Sequence, residues 1–136
     1  MEDRDDEKRK LLEESRVIAV VGLSPDEQKA SNVVAVYLIA HGYRVIPVNP
    51  LHAEILGQKS YPSLTDVPEK IDIVDIFMKA EKVLPVVEEA IKLAPKAIWL
   101  QLGIVNEEAR KMAESSNIPF FMDQCIKQQH TKLFGI

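Results

Sequence analysis

A chain of 136 residues, 46% apolar and 28% charged, has the length and composition of one domain with a single core. Its net charge of −4 and lack of any basic run argue against a nucleic-acid surface, and no apolar stretch reaches membrane-spanning length. One cysteine, Cys125, rules out an internal disulfide and fits a reducing cytosol, while three scattered histidines offer no metal-ligand spacing.

The first sixteen residues, MEDRDDEKRKLLEESR, are mostly charged, with Leu11 and Leu12 as apolar anchors. They predict a short helix laid against the domain. They lack the apolar centre of a signal peptide, so a cytoplasmic location is expected. Val17–Val21 is apolar on both faces, the pattern of a central strand covered from either side, and it ends at Gly22. A polar loop leads into the apolar segment Ala30–His41, which predicts a deeply packed helix closed by Gly42. A second apolar run, Val45–Val48, ends in Asn49–Pro50. Strand, loop, helix and strand follow at the spacing of a βαβ unit.

Residues 51–70 form a connection with little periodicity, punctuated by Gly57, Pro62 and Pro68. Ile71–Phe77 alternates apolar and acidic residues and predicts a third strand. Asp72 and Asp75 fall on opposite sides of its pleat, so they make no carboxylate pair. Val83, Val87, Ala90 and Ala94 share one stripe of a helix over Val83–Leu93, with Pro85 in its first turn. Ala97–Leu100 predicts a fourth strand. Asn106, followed by Glu107 and Glu108, marks the start of a helix running to Ser115. Ile118–Met122 predicts a fifth strand, and the tail Asp123–Ile136 begins another helical turn.

Alternating strands and helices predict an α/β fold, a three-layer arrangement around a five-stranded parallel sheet in the order 3-2-1-4-5. Residues 1–136 form one domain on this reading: a charged helix over 1–16 and a core over 17–136. The crevice of such a sheet opens between strands 1 and 4, flanked by residues 22–31 and 101–105. The ends of strands 2 and 3, Pro47–Pro50 and Phe77–Lys79, lie further along the rim.

Gly22 lets backbone approach a phosphate, Ser24 adds a hydroxyl and Lys29 a positive charge. Ser31 and Asn32 either cap the helix or bond an anion. The loop is not a dinucleotide fingerprint, because Ser24 and Glu27 stand where Gly-x-Gly-x-x-Gly needs glycines, and no acid closes strand 2. Gln101 either meets a polar ligand in the crevice or satisfies backbone groups at the strand end. Cys125 and His130 are of the types that serve as nucleophile and base, but no acidic third member follows at an obvious spacing. The competing reading is a packed thiol and a surface histidine on a terminal helix.

The segments VIAVVGLSPDEQKAS, GYRVIPVNP, YPSLTDVP, DIVDIF, AIWLQLGI and MDQCIKQQH, in that order, resemble the small stand-alone CoA-binding domain proteins of bacteria and archaea. The resemblance covers Arg16 to Leu133. That family is similar to the CoA-binding domain of the succinyl-CoA synthetase α subunit, a Rossmann-like fold. The resemblance implies that Gly22, Leu23, Ser24, Lys29 and Ser31 hold the phosphates of coenzyme A. It implies that Val48, Asn49 and Pro50 lie under the adenosine, with Phe77 and Met78 along the rim. It further implies that Gln101, Gly103 and Ile104 border the pantetheine arm. The synthetase's phosphohistidine and second subunit have no counterpart in this short chain.

The expected function is binding of coenzyme A or an acyl-CoA without catalysis, metal, nucleic acid or membrane. A homo-oligomer or a partner enzyme is left open. Two alternatives stand beside it: an acyl-CoA-dependent enzyme using Cys125 and His130, and a nicotinamide-nucleotide sensor using the same crevice.

Overall fold

The computed structural model describes residues 4–135. Its centre is a five-stranded parallel sheet. The strands are β1 (Val17–Val21), β2 (Arg44–Val48), β5 (Ile73–Ile76), β6 (Ala97–Leu100) and β7 (Phe120–Phe121). Two short strands, β3 (Glu54–Ile55) and β4 (Gln58–Lys59), form a separate antiparallel hairpin. The helices are α1 (Asp5–Glu14), α2 (Ala30–Ala40), α3 (Val83–Lys92), α4 (Glu107–Ser115) and α5 (Ile126–Phe134).

Strand residues alternate between two cores. Ile18, Val20, Ile73, Trp99 and Phe121 face α1, α2 and α5, whereas Ala19, Val21, Val74, Ile76 and Leu100 face α3 and α4. This gives the three-layer α/β fold. Burial on both faces explains why these strands read as continuous apolar runs. Asn106 caps α4, its Oδ1 accepting from Ala109 N at 2.9 Å. Gly42, at φ +92°, follows α2 and allows its tight closure.

The sheet order is β2-β1-β5-β6-β7. In the numbering of the five predicted strands this is 2-1-3-4-5, and it corrects the expected 3-2-1-4-5. The reason lies in the connection with little periodicity. Tyr61 bridges to Val48, with Tyr61 N donating to Pro47 O at 3.0 Å and Asn49 N to Tyr61 O at 2.9 Å. The outer edge of β2 is thus taken by the connection itself. The third strand crosses to the other side of β1 and pairs Ile18 with Ile73 and Val21 with Ile76. Asp72 fastens this placement, its Oδ2 accepting from Arg16 N and Val17 N at 2.9 and 3.0 Å.

The topological switch point therefore lies between β1 and β5, not between β1 and β6. Phe77–Lys79 sits at that point rather than further along the rim. The tail is also longer in helix than a single turn: α5 covers nine residues and packs against α1 and α2. Among the described residues, no helix is long and apolar enough to cross a membrane, and no cluster of His, Cys, Asp and Glu could hold a metal ion.

Candidate functional site: two cavities at the C-terminal edge of the sheet

Gly22 ends β1 at φ +83°, with its N–H donated to Val48 O at 2.9 Å. A Cβ placed there would lie 2.1 Å from the carbonyl oxygen of Phe77. No side chain fits between these two strand ends. Glycine at 22 is therefore demanded by the packing of β1 against β5, before any ligand is considered.

Beyond Gly22 the loop is wired to the start of α2. Ser24 N donates to Ser31 Oγ at 2.9 Å, and Asn32 Nδ2 donates to Ser24 O at 2.9 Å. Ser24 Oγ accepts from Asp26 N at 3.0 Å. Ser31 and Asn32 are both buried. Their side chains hold the loop to the helix rather than reaching outward. What the loop presents is backbone at the N-terminal end of α2, where amides lack helical acceptors and attract negative charge. Lys29, at the N-cap of α2, is exposed beside it. Leu23 is fully buried in the core, and its carbonyl accepts from Asn49 Nδ2 at 2.9 Å. That bond ties the end of β2 to the same loop.

Two cavities open on either side of this crest. The first, about 280 Å³, lies on the α3 face. Val21, Gly22, Val48, Asn49, Pro50 and Met78 form its floor and one side, and Pro62, Ser63, Leu64, Val86 and Glu89 the other. The second, about 220 Å³, lies on the α2 and α5 face. It is lined by Ala30 and Val34 of α2, Phe77, Gln101, Leu102, Ile104, Cys125 and Gln128. Gly22 lines one cavity and its close neighbour Phe77 lines the other.

Of the residues singled out from the sequence, Gly22, Val48, Asn49, Pro50 and Met78 share the first cavity, and Phe77, Gln101 and Ile104 share the second. Ser24, Lys29 and Ser31 form the loop and helix start beside the crest. Gly103 lines neither cavity. Its N–H is donated to Asp123 Oδ1 at 2.8 Å, which ties the loop after β6 to the loop after β7. Sequence reasoning missed the wall made by Pro62, Ser63, Leu64, Val86 and Glu89. Cys125, read from the sequence as either a nucleophile or a packed thiol, lines the second cavity.

Gln101 does not satisfy backbone groups at the strand end. Its Nε2 donates to Asp75 Oδ1 at 2.5 Å. Asp75 is fully buried in the middle of β5, and its other oxygen, Oδ2, has no hydrogen-bond partner among the described residues. Burial pushes the Asp75 carboxyl up to about 7, against the opposing effect of the Gln101 hydrogen bond. Trp99 belongs to the core, fully buried, with Nε1 donated to Gln124 O at 2.8 Å. His130 lines neither cavity. It is 6% exposed and hydrogen-bonded through Nδ1 to Tyr37 Oη at 2.7 Å, in a ring cluster with His41, Tyr43 and Phe134. Burial, with His41 nearby, pushes its pKa down.

Residues 16–131 match the family model of a CoA binding domain. The chain is 40% identical over 122 residues to the uncharacterized protein YneT of Bacillus subtilis (strain 168), covering 90% of each. Over 74 residues it is 40% identical to the ADP-forming acetate–CoA ligase I of Archaeoglobus fulgidus, spanning 54% of this chain and 11% of the ligase. A hypothetical protein from Pyrococcus horikoshii OT3 superposes with a TM-score of 0.93 at 40% identity, over 96% of this chain and 92% of that one. The dinucleotide-forming acetyl-coenzyme A synthetase 1 of Ca. Korarchaeum cryptofilum, in complex with phosphate and ADP, superposes with a TM-score of 0.68 at 32% identity. That match covers 76% of this chain and 25% of the synthetase. The small relatives match in length as well as fold, the large ligases share only this part, and the chain belongs to the CoA binding domain family.

Proposed function

We propose that the protein binds coenzyme A or an acyl-CoA across the C-terminal edge of its sheet and does no chemistry of its own on it. The observation that carries this reading is the pair of cavities on opposite faces of the sheet, one lined by Gly22 and the other by Phe77 and by Ala30 at the start of α2. A ligand with a flat apolar end, a charged middle and a long thin arm suits that shape. The adenosine fits the first cavity over Val48, Asn49 and Pro50, bordered by Met78. The phosphates sit over Gly22, Leu23 and Ser24 through backbone groups, with the Lys29 ammonium nearby and Ser31 fixing the loop. The pantetheine arm passes Phe77 into the second cavity, alongside Gln101 and Ile104. Gly103 contributes by holding that loop to Asp123. Family membership and the CoA ligases among the relatives support the ligand's identity.

The chain spans about a tenth of ligase I, so ligation is not carried across with the fold. The reading of Cys125 and His130 as a catalytic dyad is disfavoured, because His130 is buried in the ring cluster with Nδ1 committed to Tyr37. A nicotinamide nucleotide is disfavoured by the absence of an acid at the end of β2, where Asn49 stands.

Calorimetric titration with CoA, ATP and NAD tests the proposal. Saturable one-site heat with CoA, stronger than with either nucleotide, is expected. No heat with CoA, or tighter binding of NAD, overturns it.

A further inference from the structure

The first cavity has a mostly apolar lining, and its few polar side chains differ in what they have left to offer. They belong to Asn49, Ser63 and Glu89. Asn49 is spent at both ends: Nδ2 donates to Leu23 O and Oδ1 accepts from Leu51 N, each at 2.9 Å. Ser63 Oγ gives its one proton to Asp66 Oδ2 at 2.9 Å and lies 3.0 Å from Thr65 Oγ1. Glu89 is half-buried on α3, three residues after Val86, which lines the cavity beside it. Its Oε2 accepts from Thr65 N at 3.0 Å, a bond that ties α3 to the short 3₁₀ turn Leu64–Asp66 and holds the carboxylate in the wall. Its Oε1 has no hydrogen-bond partner among the described residues. A carboxylate accepts and does not donate. The cavity therefore offers a ligand one open side-chain acceptor in an apolar setting.

We propose that Glu89 reads the exocyclic group of the purine ring and makes the site selective for adenine over oxo-purines. This rests on the CoA reading, which puts the adenosine in this cavity, and deepens it from shape to the identity of the base. Val48 and Pro50, at the end of β2, and Met78, after β5, give the flat ring apolar contact. The phosphates lie toward Gly22 and the start of α2. The ribose end of the base therefore points to the sheet, and its far edge points to the wall that α3 provides. That edge bears the exocyclic group. In adenine the group is an amine, a donor; in hypoxanthine and guanine it is a carbonyl oxygen, an acceptor. The amine gives Oε1 the hydrogen bond it lacks. A carbonyl oxygen sets two acceptors against each other, so the same carboxylate that favours one base disfavours the other.

The test is calorimetric titration of the full chain with CoA and with deaminated CoA, in which a carbonyl oxygen replaces the exocyclic amine of the base. CoA should bind more tightly by about fivefold or more, less than a fully buried hydrogen bond to a charged acceptor gives, because Glu89 is only half-buried. Glu89→Gln keeps the side-chain length and an oxygen for Thr65 N, and adds an amide donor that suits a carbonyl oxygen. In that variant the preference should vanish or reverse. The ratio measured on the parent stands on its own if the variant does not fold. Equal binding of the two ligands by the parent overturns the role of Glu89 and leaves the CoA reading intact, and so does a parental preference that persists in Glu89→Gln. No binding of CoA by the parent overturns both.

Discussion

Replacing Gly22 by alanine adds one carbon, and the structure says what it meets. The new Cβ would stand 2.1 Å from Phe77 O, a main-chain atom of β5's end that cannot swing aside. The residue also sits at φ +83°, where an L side chain costs about 1–2 kcal/mol. Forcing β1 and β5 apart at a packed sheet centre adds about 1–3 kcal/mol. The expected loss is therefore about 2–5 kcal/mol, a large share of the 5–15 kcal/mol typical of a small domain. Gly103→Ala is the control. It has a similar φ, +86°, but a Cβ there meets nothing within 4 Å. It should show only the backbone cost, about 1–2 kcal/mol. Urea unfolding of both variants and the parent measures the difference as a shift in midpoint at constant m. Equal losses at 22 and 103 would refute the steric argument. So would a Gly22→Ala protein of parental stability.

Three further outcomes are expected. Asp75 has a folded pKa of about 7, raised above its ordinary 3.8, so the folded state holds the proton more tightly. Its contribution falls as pH rises from about 4 to 7, by about 1.4 kcal/mol per unit. Asp75→Asn should remove that slope and stabilise the protein at pH 8, as read by denaturant midpoints across pH. His130 has the opposite linkage: its folded pKa lies below the ordinary 6.5, so stability is complete above that value and is lost as pH falls through it. His130→Gln should flatten the mildly acidic limb of the same curve. Asn106→Ala removes the cap of α4 and its Nδ2 bond to Ala80 O at 3.0 Å, and should cost about 1–2 kcal/mol by thermal or urea unfolding.

The layers were legible because burial writes itself into the sequence twice. Val17–Val21 and Ala97–Leu100 are apolar on both faces, and both strands have these bounds in the structure. Asn106 and Gly42 announced the ends of helices by their own backbone chemistry. Strand order left no such trace, because any of these apolar strands suits a central position. What decided it was Tyr61, a lone bridge in a segment without period, sealing the outer edge of β2. Cavity-lining residues next to a strand end, such as Asn49 and Phe77, were legible by position. Pro62, Ser63 and Val86 were not, because they reach the first cavity only through the course of the connection and of α3. Gln101 was recognised as a polar residue in an apolar setting, but its partner Asp75 lies 26 residues away on a neighbouring strand.

Moving the third strand beside β1 changes what the glycine after the first strand can mean. A glycine there is commonly read as clearance for a phosphate. Here the carbonyl of Phe77 already excludes a side chain, so the residue would be glycine in a protein that bound nothing. What favours a ligand is instead the two faces of the sheet. The β1–β5 contact has a cavity on each side of it, one toward α3 and one toward α2 and α5. A ligand that filled only one would leave apolar surface of the other open to water. An elongated ligand crossing at Gly22 fills both, and on its way it passes the start of α2, where backbone amides favour its negative charge. Shape at the switch point, rather than the glycine, is what separates a long two-ended ligand from a compact nucleotide.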